Sequence, residues 1–176
     1  MSKAILAVSF GTAYEETAKK TIEAIEKELA VAFPERKLYT AWTSGMILRK
    51  LKKLGKETRD NLEEALARME RDGVTDLLVQ PTFLQAGYEM RLAAETLEKW
   101  KGRFGSLKLG AVLVENQADL DALARAMEAH FAAVGSDEAL VLMGHGSEGA
   151  DFYPYGKLTE AFRRDGKENF SVGTVE

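Results

Sequence analysis

No cysteine occurs among the 176 residues, which excludes disulfides, thiolate metal ligands and a cysteine nucleophile and suits a reducing compartment. No apolar run approaches the roughly 20 residues that span a bilayer as a helix. No charged leader with a cleavage pattern opens the chain, so the protein is expected to be cytoplasmic, with no membrane partner. Positive charge is not in excess either: 24 Lys and Arg stand against 28 Asp and Glu, a formal −4, and no nucleic-acid partner is expected. Nucleotide fingerprints are missing as well. Gly144-His145-Gly146 lacks the third glycine of the dinucleotide pattern, no phosphate-loop Lys follows, and phosphoryl transfer is not expected.

What is present is a chain of ordinary globular composition, 45% hydrophobic, in which short aliphatic runs alternate with helical periodicity. Strands are expected near residues 3–10, 38–42, 74–80, 107–114, 139–143 and 170–175. Helices are expected over 12–33, around 47–54, from 60 to 72, and over 88–101, 117–133 and 155–164. Thr12 with Glu15, and Asp60 with Glu63, read as capping boxes. In the first helix Ala18, Ile22, Ile25, Leu29 and Ala32 form one apolar stripe. The alternation implies an α/β fold with a doubly wound parallel sheet covered on both faces.

The sharpest feature is the run 139–143, which ends in a histidine held between Gly144 and Gly146. Its pattern matches residues 4–12 position for position 135 residues earlier, with Phe10 standing where His145 does. Residues 1–134 are therefore read as one α/β domain and 135–176 as the start of a second, similar domain, truncated in this chain.

In such a sheet the chemistry collects in the loops after the strands. These loops hold Ser9, Phe10, Gly11 and Thr12; Thr43 and Ser44; Thr82 and Phe83; His145 and Ser147; and Glu176 at the chain end. The glycines at 11, 144 and 146 permit close backbone approach to a ligand, and helix N-termini after Thr12 and Ser147 suit anionic groups. His145 with Glu176 is a nitrogen and oxygen ligand set for Co²⁺, Ni²⁺, Fe²⁺ or Zn²⁺. His130, in mid-helix beside Met127 and Phe131, reads as structural. Arg49, Lys50, Lys52 and Lys53 read as a solvated helix face. Tyr153, Pro154 and Tyr155 either line a pocket or pack a loop.

Taken in order, residues 4–12, the segment Thr43-Ser44-Gly45-Met46-Ile47-Leu48-Arg49-Lys50-Leu51, the segment Met143-Gly144-His145-Gly146, and Gly173-Thr174-Val175-Glu176 resemble the anaerobic sirohydrochlorin cobaltochelatases. These are class II tetrapyrrole chelatases of cobalamin biosynthesis. The resemblance implies two similar, flavodoxin-like α/β halves facing each other across a cleft that holds the tetrapyrrole. It implies a lyase that inserts Co²⁺, as substrate metal, into sirohydrochlorin without an organic cofactor. It places His145 and Glu176 at the metal, as ligands and catalytic groups, and it implies a further histidine beyond residue 176. Ser9, Phe10, Gly11, Thr12, Gly144, Gly146 and Phe83 are the expected substrate contacts. Two departures stand out: Phe83, where relatives commonly carry histidine, and residues 148–151, where a histidine-rich stretch is expected. Iron or nickel insertion and a non-catalytic tetrapyrrole or metal carrier are the alternatives, and assembly into a homo-oligomer stays open.

Overall fold

Strands and helices alternate as the apolar periodicity requires, and every strand pair is parallel. The computed structural model describes residues 2–146 and 154–175. The chain divides into two units: Met1–Phe83 with Glu89–Val112, and Leu84–Tyr88 with Leu113–Glu176.

In the first unit β1 (Ser2–Ser9), β2 (Lys37–Trp42), β3 (Val74–Pro81) and β4 (Ser106–Leu109) form a parallel sheet in the order β2-β1-β3-β4. The connecting helices are α1 (Glu15–Lys20), α2 (Ile22–Ala32), α3 (Gly45–Lys53), α4 (Leu62–Arg71) and α5 (Tyr88–Trp100). Central β1 is buried from Ala4 through Ser9, which is why it reads as an unbroken apolar run rather than an alternating one. Helix α4 turns Leu62, Ala65, Leu66 and Met69 inward, one helical face, against Leu6, Tyr39 and Leu77 of the sheet. Each large side chain so buried contributes about 1.5–3 kcal/mol. At the starting edge of the strands the Arg36 guanidinium donates to the carbonyls of Ala4 and Asp76 and pairs with the Asp76 carboxylate at 2.9 Å. That bond holds the Asp76 carboxyl below its usual range. Stability is thus built in at the edge opposite the loops expected to carry function.

Three local expectations are corrected. Thr12 and Glu15 form no capping box: α1 begins at Glu15, the Thr12 hydroxyl accepts from Tyr14 N at 3.3 Å, and Glu15 pairs with Lys19 at 2.8 Å. The first long helix is broken at Thr21, whose hydroxyl donates back to the Thr17 carbonyl at 2.7 Å, a back-bond that bends helices. The break shifts the helical phase, so Ile25 and Ala32 are exposed while Glu26 is buried. The capping box before α4 lies one residue later than expected, between Asn61 and Glu64. Asp60 is held in the preceding link, its carbonyl accepting from Trp42 N and its carboxylate pairing with Arg68 at 2.7 Å.

Glu26 is only 7% exposed and its Oε1 has no hydrogen-bond partner. Burial pushes its carboxyl above the usual range, with Arg59 opposing the shift and Glu23 adding to it. A folded-state pKa raised above the unfolded one favours folding at low pH, and that contribution is lost as pH rises through the folded value. Replacement Glu26→Gln is therefore expected to stabilise the protein by about 1 kcal/mol at neutral pH. Urea titrations should show the gain shrinking as pH falls through the ordinary glutamate range of about 4.3, below which the group is protonated in either state.

In the second unit β5 (Leu140–Gly144) pairs with β6 (Phe170–Thr174) through the crossover helix α7 (Pro154–Arg164), and α6 (Gln117–His130) packs against α7. Sequence alone grouped α6 with residues 1–134; here Leu120 and Ala124 of α6 share a core with Leu158, Phe162 and Phe170. Leu140 and Leu142 face that core while Val141 and Met143 are exposed, the alternation of a sheet packed on one face. His130 is not in mid-helix or half-buried as expected: it ends α6 and is exposed, with its ring edge-on to Phe131.

Candidate functional site

The chain leaves β1 towards β2 on one side and continues through β3 on the other, so the sheet order reverses at β1, where open α/β sheets hold ligands beyond the strand ends. Backbone bonds draw the ends of β1, β2 and β3 together. Thr43 N donates to the Ser9 carbonyl at 2.9 Å, Ser44 N to the Phe10 carbonyl at 3.1 Å, and Thr82 N to the Val8 carbonyl at 2.9 Å. The buried Ser9 hydroxyl accepts from Thr82 Oγ1 at 2.8 Å. Ser9 is therefore a clasp between β1 and β3, while Phe10 next to it is 45% exposed. Gly11 has φ +97°, and a Cβ there would lie 2.7 Å from the Trp42 ring. Phe83 is half-buried and packs on the core of the first unit.

Trp42 is buried, its Nε1 has no hydrogen-bond partner, and the neighbouring Thr43 Oγ1 has none either. Beside them, between α1 and the link from α3 to α4, lies a cavity of about 370 Å³ whose walls include Thr12, Trp42 and Leu51. Its charged walls are largely closed on themselves: Lys19 pairs with Glu15 at 2.8 Å, and Arg59 with Glu23 at 3.2 Å. Space of that size holds a side group of a large ligand rather than a whole macrocycle.

In the second unit His145 is exposed immediately after β5, between Gly144 and Gly146. A Cβ on Gly144 would overlap the Tyr155 ring of α7, so glycine is required there, and Tyr155 packs against the loop. The loop geometry repeats that after β1. Gly146 has φ +98° where Gly11 has +97°, and Val175 N donates to the Gly144 carbonyl at 3.1 Å as Thr43 N does to that of Ser9. Glu176, Ser147, residues 148–151 and Tyr153 lie outside the described residues. Among the described residues no group of three or more His, Asp or Glu is arranged to hold a metal ion, and no helix is long and apolar enough to cross a membrane.

Sequence reasoning missed Trp42 as the floor beneath Gly11, and it missed the cavity. The signal for the first was faint: a large aromatic at the end of β2, opposite a glycine at the end of its neighbour.

The family described as Cobalt chelatase (CbiK) matches residues 3–176. Over 158 residues the chain is 34% identical to the sirohydrochlorin cobaltochelatase of Salmonella typhimurium strain LT2, covering 90% of this chain and 60% of the relative. Over 166 residues it is 29% identical to sirohydrochlorin cobaltochelatase CbiKC of Nitratidesulfovibrio vulgaris strain Hildenborough, covering 92% and 58%. The chain thus spans about three fifths of the length of these curated relatives.

Proposed function

This chain belongs to the cobalt chelatase (CbiK) family, and on that premise we propose that it inserts Co²⁺ into sirohydrochlorin. The observation that carries the reading is His145, exposed at the carboxyl end of a parallel strand and flanked by Gly144 and Gly146. The two curated relatives bear the name of this activity. Insertion exchanges one divalent cation for two pyrrole N–H protons, with no electron transfer, so the reaction calls for no organic cofactor. It forms nitrogen–metal bonds and is in that sense a lyase reaction. A cytoplasmic location belongs to the same reading.

His145 suits both tasks the exchange sets. A neutral imidazole binds borderline divalent metals loosely and accepts protons near neutral pH. Glu176 is assigned with it to the metal, adding negative charge that favours departure of the pyrrole protons. Ser9, Phe10, Gly11 and Thr12 are assigned to the substrate in the first unit, and Gly144 and Gly146 in the second. Phe83 is assigned to the substrate's apolar surface. The repeated loop geometry supports reading residues from 135 onward as a second copy of the β1 motif.

The test is spectrophotometric. Sirohydrochlorin and Co²⁺ mixed with the protein are expected to show the absorption shift of metal insertion well ahead of the protein-free control, and with Co²⁺ preferred to Fe²⁺ or Ni²⁺ at limiting metal. Tight tetrapyrrole binding without that shift would make the protein a carrier instead.

A further inference from the structure

Helix α3 carries four cations, Arg49, Lys50, Lys52 and Lys53, and none of them is in an ion pair among the described residues. In a chain with a formal charge of −4 that is a local concentration of uncompensated positive charge. Met46 lies on the same helical face as Lys50, one turn earlier, and is 69% exposed. The start of α3 is fastened to the loop after β1 by the bond from Ser44 N to the Phe10 carbonyl, 3.1 Å. The Lys50 ammonium sits 5.7 Å from the centre of the Tyr14 ring, which is 70% exposed. Arg49 folds back over the first turn of α3, close against Gly45. Phe10, Tyr14 and Met46 are thus exposed apolar groups beside Arg49 and Lys50, at the sheet edge where ligands are held. Glu15 and Glu16, which follow Tyr14, are both engaged by Lys19, and Glu57, the acid nearest in sequence to Lys50, lies 3.7 Å from Arg59.

Large apolar side chains left in water next to unpaired cations suit a ligand that is flat and apolar in its middle and acidic at its rim. We propose that this surface seats the metal-free tetrapyrrole, with Phe10, Tyr14 and Met46 under the ring and Arg49 and Lys50 paired with its peripheral carboxylates. The proposal rests on the chelatase reading, which supplies the substrate, and adds the residues that grip it.

The experiment is a titration of the full chain with metal-free sirohydrochlorin, followed by quenching of tryptophan fluorescence and by the tetrapyrrole's own absorption. The double variant Arg49→Gln/Lys50→Gln is expected to bind about tenfold more weakly, two rim charges lost. Lys99→Gln, in the last turn of α5 at the far edge of the sheet, should bind as the parent does. Met46→Ser should also weaken binding, by a few fold. Independently of any variant, parent affinity should fall steeply with salt, because about 1 M NaCl shortens the screening length to roughly 3 Å. Binding by the double variant should respond much less. Parent binding that is indifferent to salt, or a double variant that binds equally well, overturns the proposed seat while leaving the chelatase reading intact. A parent that binds no sirohydrochlorin removes both.

Discussion

Replacement His145→Ala is expected to slow cobalt insertion by about 10²- to 10⁴-fold, the range over which a positioned proton acceptor acts, while leaving the fold unchanged. The second half of that expectation follows from placement. His145 is exposed after β5, outside the core formed by Leu120, Leu158, Phe162 and Phe170, and surface substitutions away from buried networks stay within about 0.5 kcal/mol. The first half follows from the assigned role. Without the imidazole the pyrrole protons leave to water alone and the incoming cation loses its only nitrogen ligand among the residues assigned to it. Single-turnover insertion with enzyme in excess should therefore drop, whereas the dissociation constant for metal-free sirohydrochlorin should change by less than about threefold, a shift worth well under 1 kcal/mol. Insertion at the parent rate would remove His145 from the chemistry. A loss confined to tetrapyrrole affinity would make it a substrate contact and nothing more. Such a split separates the role of His145 from that of Arg49 and Lys50, whose loss should act on affinity first.

The sequence made the parallel sheet legible because burial on both faces writes itself as an aliphatic run at residues 4–8, and the alternation of buried Val74, Leu77 and Val79 with more exposed neighbours marks its partner β3. Helix placement was legible for the same reason, since α4 and α7 present one apolar face at the 3.6-residue period. What escaped was set by single hydrogen bonds. Thr21 breaks a helix that periodicity alone runs straight through, and the break exchanges Ile25 for Glu26 on the inner face. Asn61 rather than Asp60 caps α4 because Asp60 is already committed to Trp42 and Arg68. Neither choice has a composition signature, as the competing residues are equally good caps.

The candidate site divides along the same line. Loops after strands are where a parallel sheet must place its chemistry, so topology alone points to Ser9, Phe10, Gly11 and His145. Which of them serves the ligand and which serves the scaffold depends on partners distant in sequence. Ser9 meets Thr82, 73 residues away. Phe83, one residue further on, packs on the core of the first unit. The cations of α3 looked like an ordinary solvated face, because no sequence rule tells an unpaired lysine from one with an acid opposite.

Gly11→Ala is expected to cost about 2–5 kcal/mol, as the sum of two separable effects. One is the backbone: φ of +97° lies where a Cβ meets the chain itself, a penalty of about 1–2 kcal/mol. The other is the indole below. The added carbon would stand 2.7 and 2.8 Å from two atoms of the Trp42 ring, and overpacking of this kind costs about 1–3 kcal/mol. Trp42 is buried with the Arg59 guanidinium 6.0 Å from its ring centre, so it can yield only towards the cavity it lines. Urea unfolding of the parent, Gly11→Ala, Trp42→Leu and the double variant closes a cycle that isolates the steric part. In the Trp42→Leu background the glycine change should cost only the backbone share, so the two substitutions should couple by about 1–3 kcal/mol. Equal cost in both backgrounds would mean the indole does not support the loop. Coupling carries a consequence for binding. The carbonyls of Ser9 and Phe10 on the near side of Gly11 are bonded to Thr43 and Ser44, so a displaced Gly11 cannot move that side freely. The shift is forced instead onto Thr12 and Tyr14, which ties the packing of Trp42 to the surface that Tyr14 shares with Lys50.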